Sequence, residues 1–329
     1  MSFWKKWLGR RGLMPKNYHR SDKNNINYYN WRYLFSGEKI NPETEWFTLL
    51  LQNVKHRKAI SFYSVFGERA FALRNCRRKK DSEISVFYTQ ENVADDTINL
   101  EHRNYSDNLL GFVDLSMGFD YVENPQYIRF PYWILEVIPP DSTFEDIANI
   151  VKMINSPSEF SYKDRNIDCS LIARHDAKGK REEISRLLSN VLDISFEGRW
   201  NNNSNVMKEE FGDEKIDYLR RCKFNICFEN SNSFGYVTEK IFEALVAKTV
   251  PIYWGSLGEP EPEILNSSAF LYYEETNSDK IINEVDYLMS HPKAYEDFIS
   301  QPKLKDGSEE VIFEKIDRIK KTLLKLDQI

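Results

Sequence analysis

Residues 224–257 read FNICFENSNSFGYVTEKIFEALVAKTVPIYWGSL, and the order of patterns in this stretch decides the fold. Phe224, Ile226 and Phe228 recur at every second position, the period of a buried strand. A polar loop, ENSNSFGY, follows, with Gly235 as its flexible point. Thr238 stands where it can cap a helix whose first turn holds Glu239 and Lys240. Ile241, Phe242, Leu245 and Val246 supply that helix with an apolar face. A second strand runs from Val250 to Trp254 and stops at Gly255. Strand, loop, helix and strand make a βαβ unit.

In βαβ units a ligand sits at the carboxyl end of the strands, beside the helix N-terminus. That terminus carries unpaired N–H groups and a partial positive charge, which suits a phosphate. Lys240 adds a full charge there, and Glu239 suits a ligand with hydroxyls, such as ribose or another sugar. Charged first turns are common, so these two residues alone read equally well as a solvated helix start. The ordered series FENS, GYVTEK and VPIYWG goes further. It resembles the donor-binding signature of the α-1,3/4-fucosyltransferases, glycosyltransferase family 10, and in particular their soluble bacterial members.

Composition sets the bounds. A chain of 329 residues is long enough for two domains with separate cores. The net charge of −6 gives no support to nucleic-acid binding. Aromatics reach 14%, which fits sugar stacking but for most of these rings fits plain cores better. The four cysteines, Cys76, Cys169, Cys222 and Cys227, lack zinc spacing and read as buried free thiols in a reducing compartment. The five histidines are scattered. No apolar run approaches the roughly 18 residues of a membrane span, and lysines interrupt Phe3 to Leu8, so no signal peptide is expected. The default location is the cytosol.

In the first half, residues 1–13 combine Phe3, Trp4, Trp7 and Leu8 with Lys5, Lys6, Arg10 and Arg11. They read first as a frayed terminus or an arm packed on the body, and second as a peripheral membrane contact. Residues 17–33 read as irregular. A helix is expected over Glu43–His56, a strand over 59–65, and a basic solvated loop over Arg74–Lys80. Ile84–Tyr88 is a strand running into Thr89, Gln90, Glu91 and Asn92. On its own Glu91 is a surface residue capping a turn. The segment is similar to the family's YTGEN-like motif, however, and that implies Glu91 as general base, with Gln90 departing from the usual glycine. A strand over 111–118 leads to Phe119, Asp120 and Tyr121, the family's GFD-like turn, in which Asp120 is structural. Ile128–Ile138 resembles the family's RxP segment and reads as core near the active cleft. A helix follows over Phe144–Ile154, and 155–162 has linker character.

The second half alternates. Strand 167–173 precedes a helix from about Lys180 to Ser189. Arg181 opens it and matches a family arginine that contacts the donor diphosphate; without the resemblance it is a surface arginine. Arginine suits phosphate through its planar fork of donors. Residues 194–205 read as a loop near the cleft. A helix over 213–221 feeds the central strand. The acids of GEPEPE (259–263) read as an exposed loop. Strand 268–273, helix 279–289 and a last helix over 308–326 follow. The last helix has Ser308 as cap and a stripe of Ile312, Ile316, Ile319, Leu323 and Leu326, which favours packing on the body over a coiled-coil dimer.

The resemblance implies an α/β protein of GT-B architecture, two Rossmann-like α/β domains facing a central cleft. Residues 1–156 form an acceptor-binding domain, 157–305 a GDP-fucose-binding domain, and 306–329 a C-terminal helix on the body. It implies inverting transfer of L-fucose from GDP-β-L-fucose to the GlcNAc hydroxyl of a Galβ-GlcNAc-type glycan carried by an oligosaccharide or glycolipid. Glu91 is the expected base. Arg181 and Lys240 are expected to stabilise the leaving GDP, and Glu239 and Tyr236 to hold sugar or ribose hydroxyls and phosphate. Asn230 fixes the loop or binds the nucleotide. No Asp-X-Asp triplet occurs, so no metal or other cofactor is expected. Two other readings stay open: a GT-B transferase using a different GDP-sugar, and a GDP-sugar- or glycan-binding protein without turnover.

Overall fold

A computed structural model describes residues 18–21, 25–31, 41–94 and 103–328. The basic aromatic stretch at residues 1–13 lies outside them. The chain divides into two compact units, one of residues 1–143 with 312–329 and one of residues 144–311.

The first unit is a six-stranded sheet in sequential order. Its strands are β1 (Tyr18–Ser21), β2 (Ile26–Tyr29), β3 (Ala59–Tyr63), β4 (Glu83–Tyr88), β5 (Leu115–Gly118) and β6 (Tyr127–Arg129). Only the β1–β2 pair is antiparallel. The stretch 17–33, expected as irregular, thus carries two strands, β1 at the sheet edge and β2 between β1 and β3; its Asn and Tyr residues hide the alternation. Helices α1 (Trp46–Leu51), α2 (Arg69–Arg78) and α3 (Trp133–Val137) belong to this unit. The expected basic loop at 74–80 is largely α2. Its arginines mask an inner face of Phe71, Ala72 and Cys76, all buried. The sheet is apolar on both sides. Phe62 and Tyr88 join Tyr28, Trp31, Phe47 and Phe130 in an aromatic cluster. Tyr63 and Phe87, one residue over, pack with Phe71, Tyr105 and Leu109. Each such fully buried ring or aliphatic chain contributes about 1.5–3 kcal/mol.

The second unit is a five-stranded, wholly parallel sheet in the order β11-β10-β9-β7-β8. The strands are β7 (Ile167–Ala173), β8 (Ile194–Gly198), β9 (Cys222–Phe228), β10 (Val250–Trp254) and β11 (Leu271–Tyr272). β8 occupies part of the segment expected as a loop, because its residues are only half-buried at the sheet edge and the Asn run that follows obscures them. The helices are α4 (Phe144–Asn155), α5 (Lys180–Leu188), α6 (Val206–Phe211), α7 (Lys215–Leu219), α8 (Glu239–Val246), α9 (Ser278–Ser290) and α10 (Pro292–Ser300). The alternation Phe224, Ile226, Phe228 points one face of β9 at α5, α9 and α10. Asn225 and Cys227 are buried on the opposite face.

Helix α4 belongs to this second unit, although the sequence groups it with the first half. Lys248 Nζ donates to Met153 O (2.6 Å) and to Ile154 O at its C-terminus, and Asn155 bonds the Leu304 backbone at both N–H and C=O. The last helix, α11 (Ser308–Gln328), passes into the first unit from Ile312 onward. Ile312, Ile316, Ile319 and Leu323 are buried, so the stripe packs within the chain. Asp327 closes this end by accepting the Arg57 and Lys58 N–H groups at 2.9 and 2.7 Å. The Ser308 hydroxyl donates to Lys305 O (2.6 Å), with Ile264 O 3.1 Å away. All four cysteines are buried and free.

Lys248 and Lys303 are both buried, and burial pushes each down to about 8 from the usual lysine value. Between that value and the unfolded lysine range the unfolded chain binds more protons at these two positions, so the pair contributes stability that grows with pH in this window. The four buried cysteines, whose pKa values burial raises, act in the opposite direction over the same range, so the lysine contribution is read as a difference. Between pH 7.5 and 9.5 the urea midpoint of the unchanged protein should gain on that of a Lys248→Met, Lys303→Met double variant; a constant gap would contradict this.

Candidate active site

In the second unit the chain turns back on itself at β7, with β8 on one side and β9 on the other. The carboxyl ends of strands at such a switch point form the ligand crevice of open α/β sheets. The loop after β7 leads into α5, and the loop after β9 leads into α8. Arg181, in the first turn of α5, is buried rather than on the surface. Its guanidinium donates to His175 O (2.9 Å), Phe228 O (2.8 Å) and Asn230 Oδ1 (3.0 Å). Arg181 and Asn230 are thus brought together as a clamp across the two strand ends. Burial lowers the Arg181 pKa, with the Asp176 and Glu229 carboxylates opposing. Because this arginine also satisfies two backbone carbonyls, its replacement touches folding as well as ligand binding.

Lys240 lies in the first turn of α8, its side chain 20% exposed. Nζ donates to Glu229 Oε2 (3.1 Å) and Thr238 Oγ1 (2.7 Å), and the Glu239 carboxylate stands 3.9 Å away. Burial opposes its charge, but Glu229 and Glu239 outweigh burial and hold its pKa above the ordinary lysine value. Glu239 is likewise desolvated, yet Lys240 and Lys215 keep its pKa below the carboxylate norm. Tyr236 is buried behind Gly235, whose φ of 82° only glycine adopts freely. Its phenol faces Arg181 electrostatically.

Glu229 carries no expected role in the sequence analysis. Its side chain is fully buried and accepts from Thr238 N and Thr238 Oγ1, both at 2.7 Å, besides Lys240. This corrects the expected cap: Thr238 spends its hydroxyl on Glu229, and its side chain caps nothing in α8. An internal carboxylate therefore sits at the helix start and takes one donor there. Gly255 makes room for it, since a Cβ would come within 2.7 Å of Glu229 Cγ. A carboxylate directly after an apolar strand, eleven positions before a lysine at a helix start, was the available clue. The 259–263 loop differs too: Glu261 is buried, with a φ of 44°. Among the described residues no group of three or more His, Cys, Asp or Glu is placed to hold a metal ion.

Glu91 belongs to the first unit and follows β4. Thr89 Oγ1 accepts its N–H (3.0 Å) and donates to its C=O (2.6 Å), a local turn that fixes the backbone just past the strand. Asn92 Oδ1 accepts the Ala94 N–H at 3.0 Å. Asp120 is structural: it accepts from Asn108 Nδ2 (2.7 Å) and its N–H donates to Tyr127 Oη (2.9 Å). Ile128, Phe130, Trp133, Ile134 and Ile138 are core.

Comparison with known proteins bears on both units. Residues 161–305 match the family profile "Glycosyltransferase family 10 (fucosyltransferase) C-term". Residues 48–136 match "Alpha-(1,3)-fucosyltransferase FucT N-terminal domain". Over 292 residues the chain is 30% identical to the alpha-(1,3)-fucosyltransferase FucT of Helicobacter pylori, covering 80% of this chain and 58% of that protein. Over 164 residues it is 35% identical to 4-galactosyl-N-acetylglucosaminide 3-alpha-L-fucosyltransferase 9 of Bos taurus, covering 48% of this chain and 40% of that one. The chain thus spans less than two thirds of either relative. An alpha1,3-fucosyltransferase crystal structure with GDP superposes with a TM-score of 0.57 at 22% identity, covering 91% of this chain and 89% of its own. Another with GDP-fucose gives 0.51 at 23%, covering 79% and 77%. The fold is GT-B.

Proposed function

Since the chain belongs to glycosyltransferase family 10, we propose that it is an α-1,3-fucosyltransferase using GDP-fucose. In this reading the acceptor is the GlcNAc hydroxyl of a Galβ-GlcNAc-type glycan, and α-1,4 transfer is a further possibility for the same site. The observation that carries the reading is the pair of cations, Arg181 and Lys240, at the carboxyl ends of β7 and β9 in the unit that matches the family's C-terminal profile. Relatives crystallised with GDP and GDP-fucose support the choice of donor.

The chemistry follows from charge. The acceptor hydroxyl is a weak nucleophile at neutral pH and needs a base, Glu91. Its oxygen attacks the fucose anomeric carbon from the face opposite GDP and inverts it, while its proton passes to the Glu91 carboxylate. The bond from that carbon to the diphosphate oxygen breaks, and the pair of electrons leaves with GDP. Arg181 and Lys240 stabilise that growing charge. Glu239 and Tyr236 hold sugar or ribose hydroxyls, and Asn230 keeps the Arg181 fork in place.

Incubation with GDP-fucose and a panel of type 1 and type 2 disaccharides tests this. An α-1,3-fucosylated type 2 product, identified by NMR, is the expected result. Turnover of GDP-mannose but not GDP-fucose, or donor binding without transfer, would replace the reading with one of its rivals. Two cationic side chains serve the diphosphate, so no metal is called for. Activity should be unchanged in excess EDTA; loss reversed by Mn²⁺ would contradict this.

A further inference from the structure

Tyr121 follows β5 by three residues and is 45% exposed, so part of its ring is open to a ligand. The ring is nonetheless held in place. The Arg129 guanidinium lies 4.3 Å from its centroid, and Arg129 Nε is itself fixed on Phe119 O at 2.9 Å. The Asp120 bonds to Asn108 and Tyr127 lock the turn on which it stands. The same turn adjoins the Glu91 loop. β4 and β5 are neighbours with Tyr88 opposite Met117, Thr89 N donates to Met117 O at 3.3 Å, and Thr89 Cγ2 fills the space beside Gly118. Thr89 is the residue that positions Glu91.

We propose that Tyr121 is a stacking platform for a pyranose ring of the acceptor glycan, beside the loop that carries Glu91. This deepens the fucosyltransferase reading and rests on it for the identity of the glycan. The apolar C–H face of a hexose carries partial positive charge, which matches the negative face of an aromatic ring. A ring fixed before binding loses little entropy when the sugar arrives. The polar edge of the sugar stays free for the carboxylate next to it.

The test is a calorimetric titration of N-acetyllactosamine into the GDP-loaded protein, with GDP affinity measured alongside. Tyr121→Ala should weaken disaccharide binding roughly tenfold and raise the acceptor KM to match, while GDP affinity and the rate of GDP-fucose hydrolysis by water stay as in the unchanged protein. Tyr121→Phe and Tyr121→Trp should retain binding. Tyr121→Leu, which keeps bulk without a π face, should behave like the alanine variant and covers the case in which alanine loosens the turn. Disaccharide affinity within twofold of the original in both the alanine and leucine variants overturns the proposal, as does a protein that binds no disaccharide at all. Disaccharide binding that depends on Tyr121 in a protein that transfers no fucose would sink the transferase reading and leave the platform standing.

Discussion

Lys240→Ala should lower kcat/KM for GDP-fucose about 100- to 1000-fold, the usual cost of removing one preorganised charge from a leaving-group site. The ammonium is held before any ligand arrives, by Glu229 Oε2 at 3.1 Å and Thr238 Oγ1 at 2.7 Å. Its raised pKa keeps it charged through the whole working range. Steady-state kinetics with saturating acceptor would show the loss mainly in kcat if Lys240 meets charge that develops as GDP departs. Near-normal turnover would move the diphosphate elsewhere. Removing Lys240 also leaves Glu229 buried without its cation, a change costing several kcal/mol in comparable sites. Thermal denaturation must therefore accompany the kinetics, so that lost fold is not read as lost chemistry.

Glu91→Gln should lower kcat about 100- to 10,000-fold, the range for a positioned general base, while GDP affinity stays near that of the unchanged protein. Glutamine keeps the shape and the Thr89 turn but has no basic oxygen to take the acceptor proton. Glu91 lies in one compact unit and the Arg181–Asn230 clamp in the other, so donor affinity serves as the control for the substitution. Comparable losses in kcat and GDP affinity would argue that Glu91 serves binding instead. Hydrolysis of GDP-fucose by water should fall less than transfer, because water is not oriented by the acceptor site.

Much of the second unit was legible from residues 224–257, because β9 and α8 each carry a clean period, β10 is an unbroken apolar run stopped by Gly255, and the turns between them are polar. Strand β7 was bounded correctly for the same reason. The failures share a cause: charge or polarity hiding an apolar face. Arg74, Arg77 and Arg78 concealed α2, the Asn run concealed β8, and Asn and Tyr concealed β1 and β2. The position of α4 was not readable, since the bonds that assign it, from Lys248 and Leu304, come from residues about 95 and 149 positions away. Within the candidate site the family resemblance pointed to Arg181, Asn230 and Tyr236, and the charged helix start itself to Glu239 and Lys240. The sequence did not reveal that Glu229 would be buried beneath Lys240, because burial of a carboxylate depends on Thr238 and Gly255 folding over it. Nor did it reveal that Arg181 would be buried and bonded to two strand-end carbonyls.

The central claim is that the donor's diphosphate lies against Arg181 and Lys240 at the ends of β7 and β9. A crystal structure of this protein with GDP tests it most directly. The account predicts phosphate oxygens within hydrogen-bond distance of Lys240 Nζ and the Arg181 guanidinium. GDP bound in good density with neither residue touching a phosphate would contradict it.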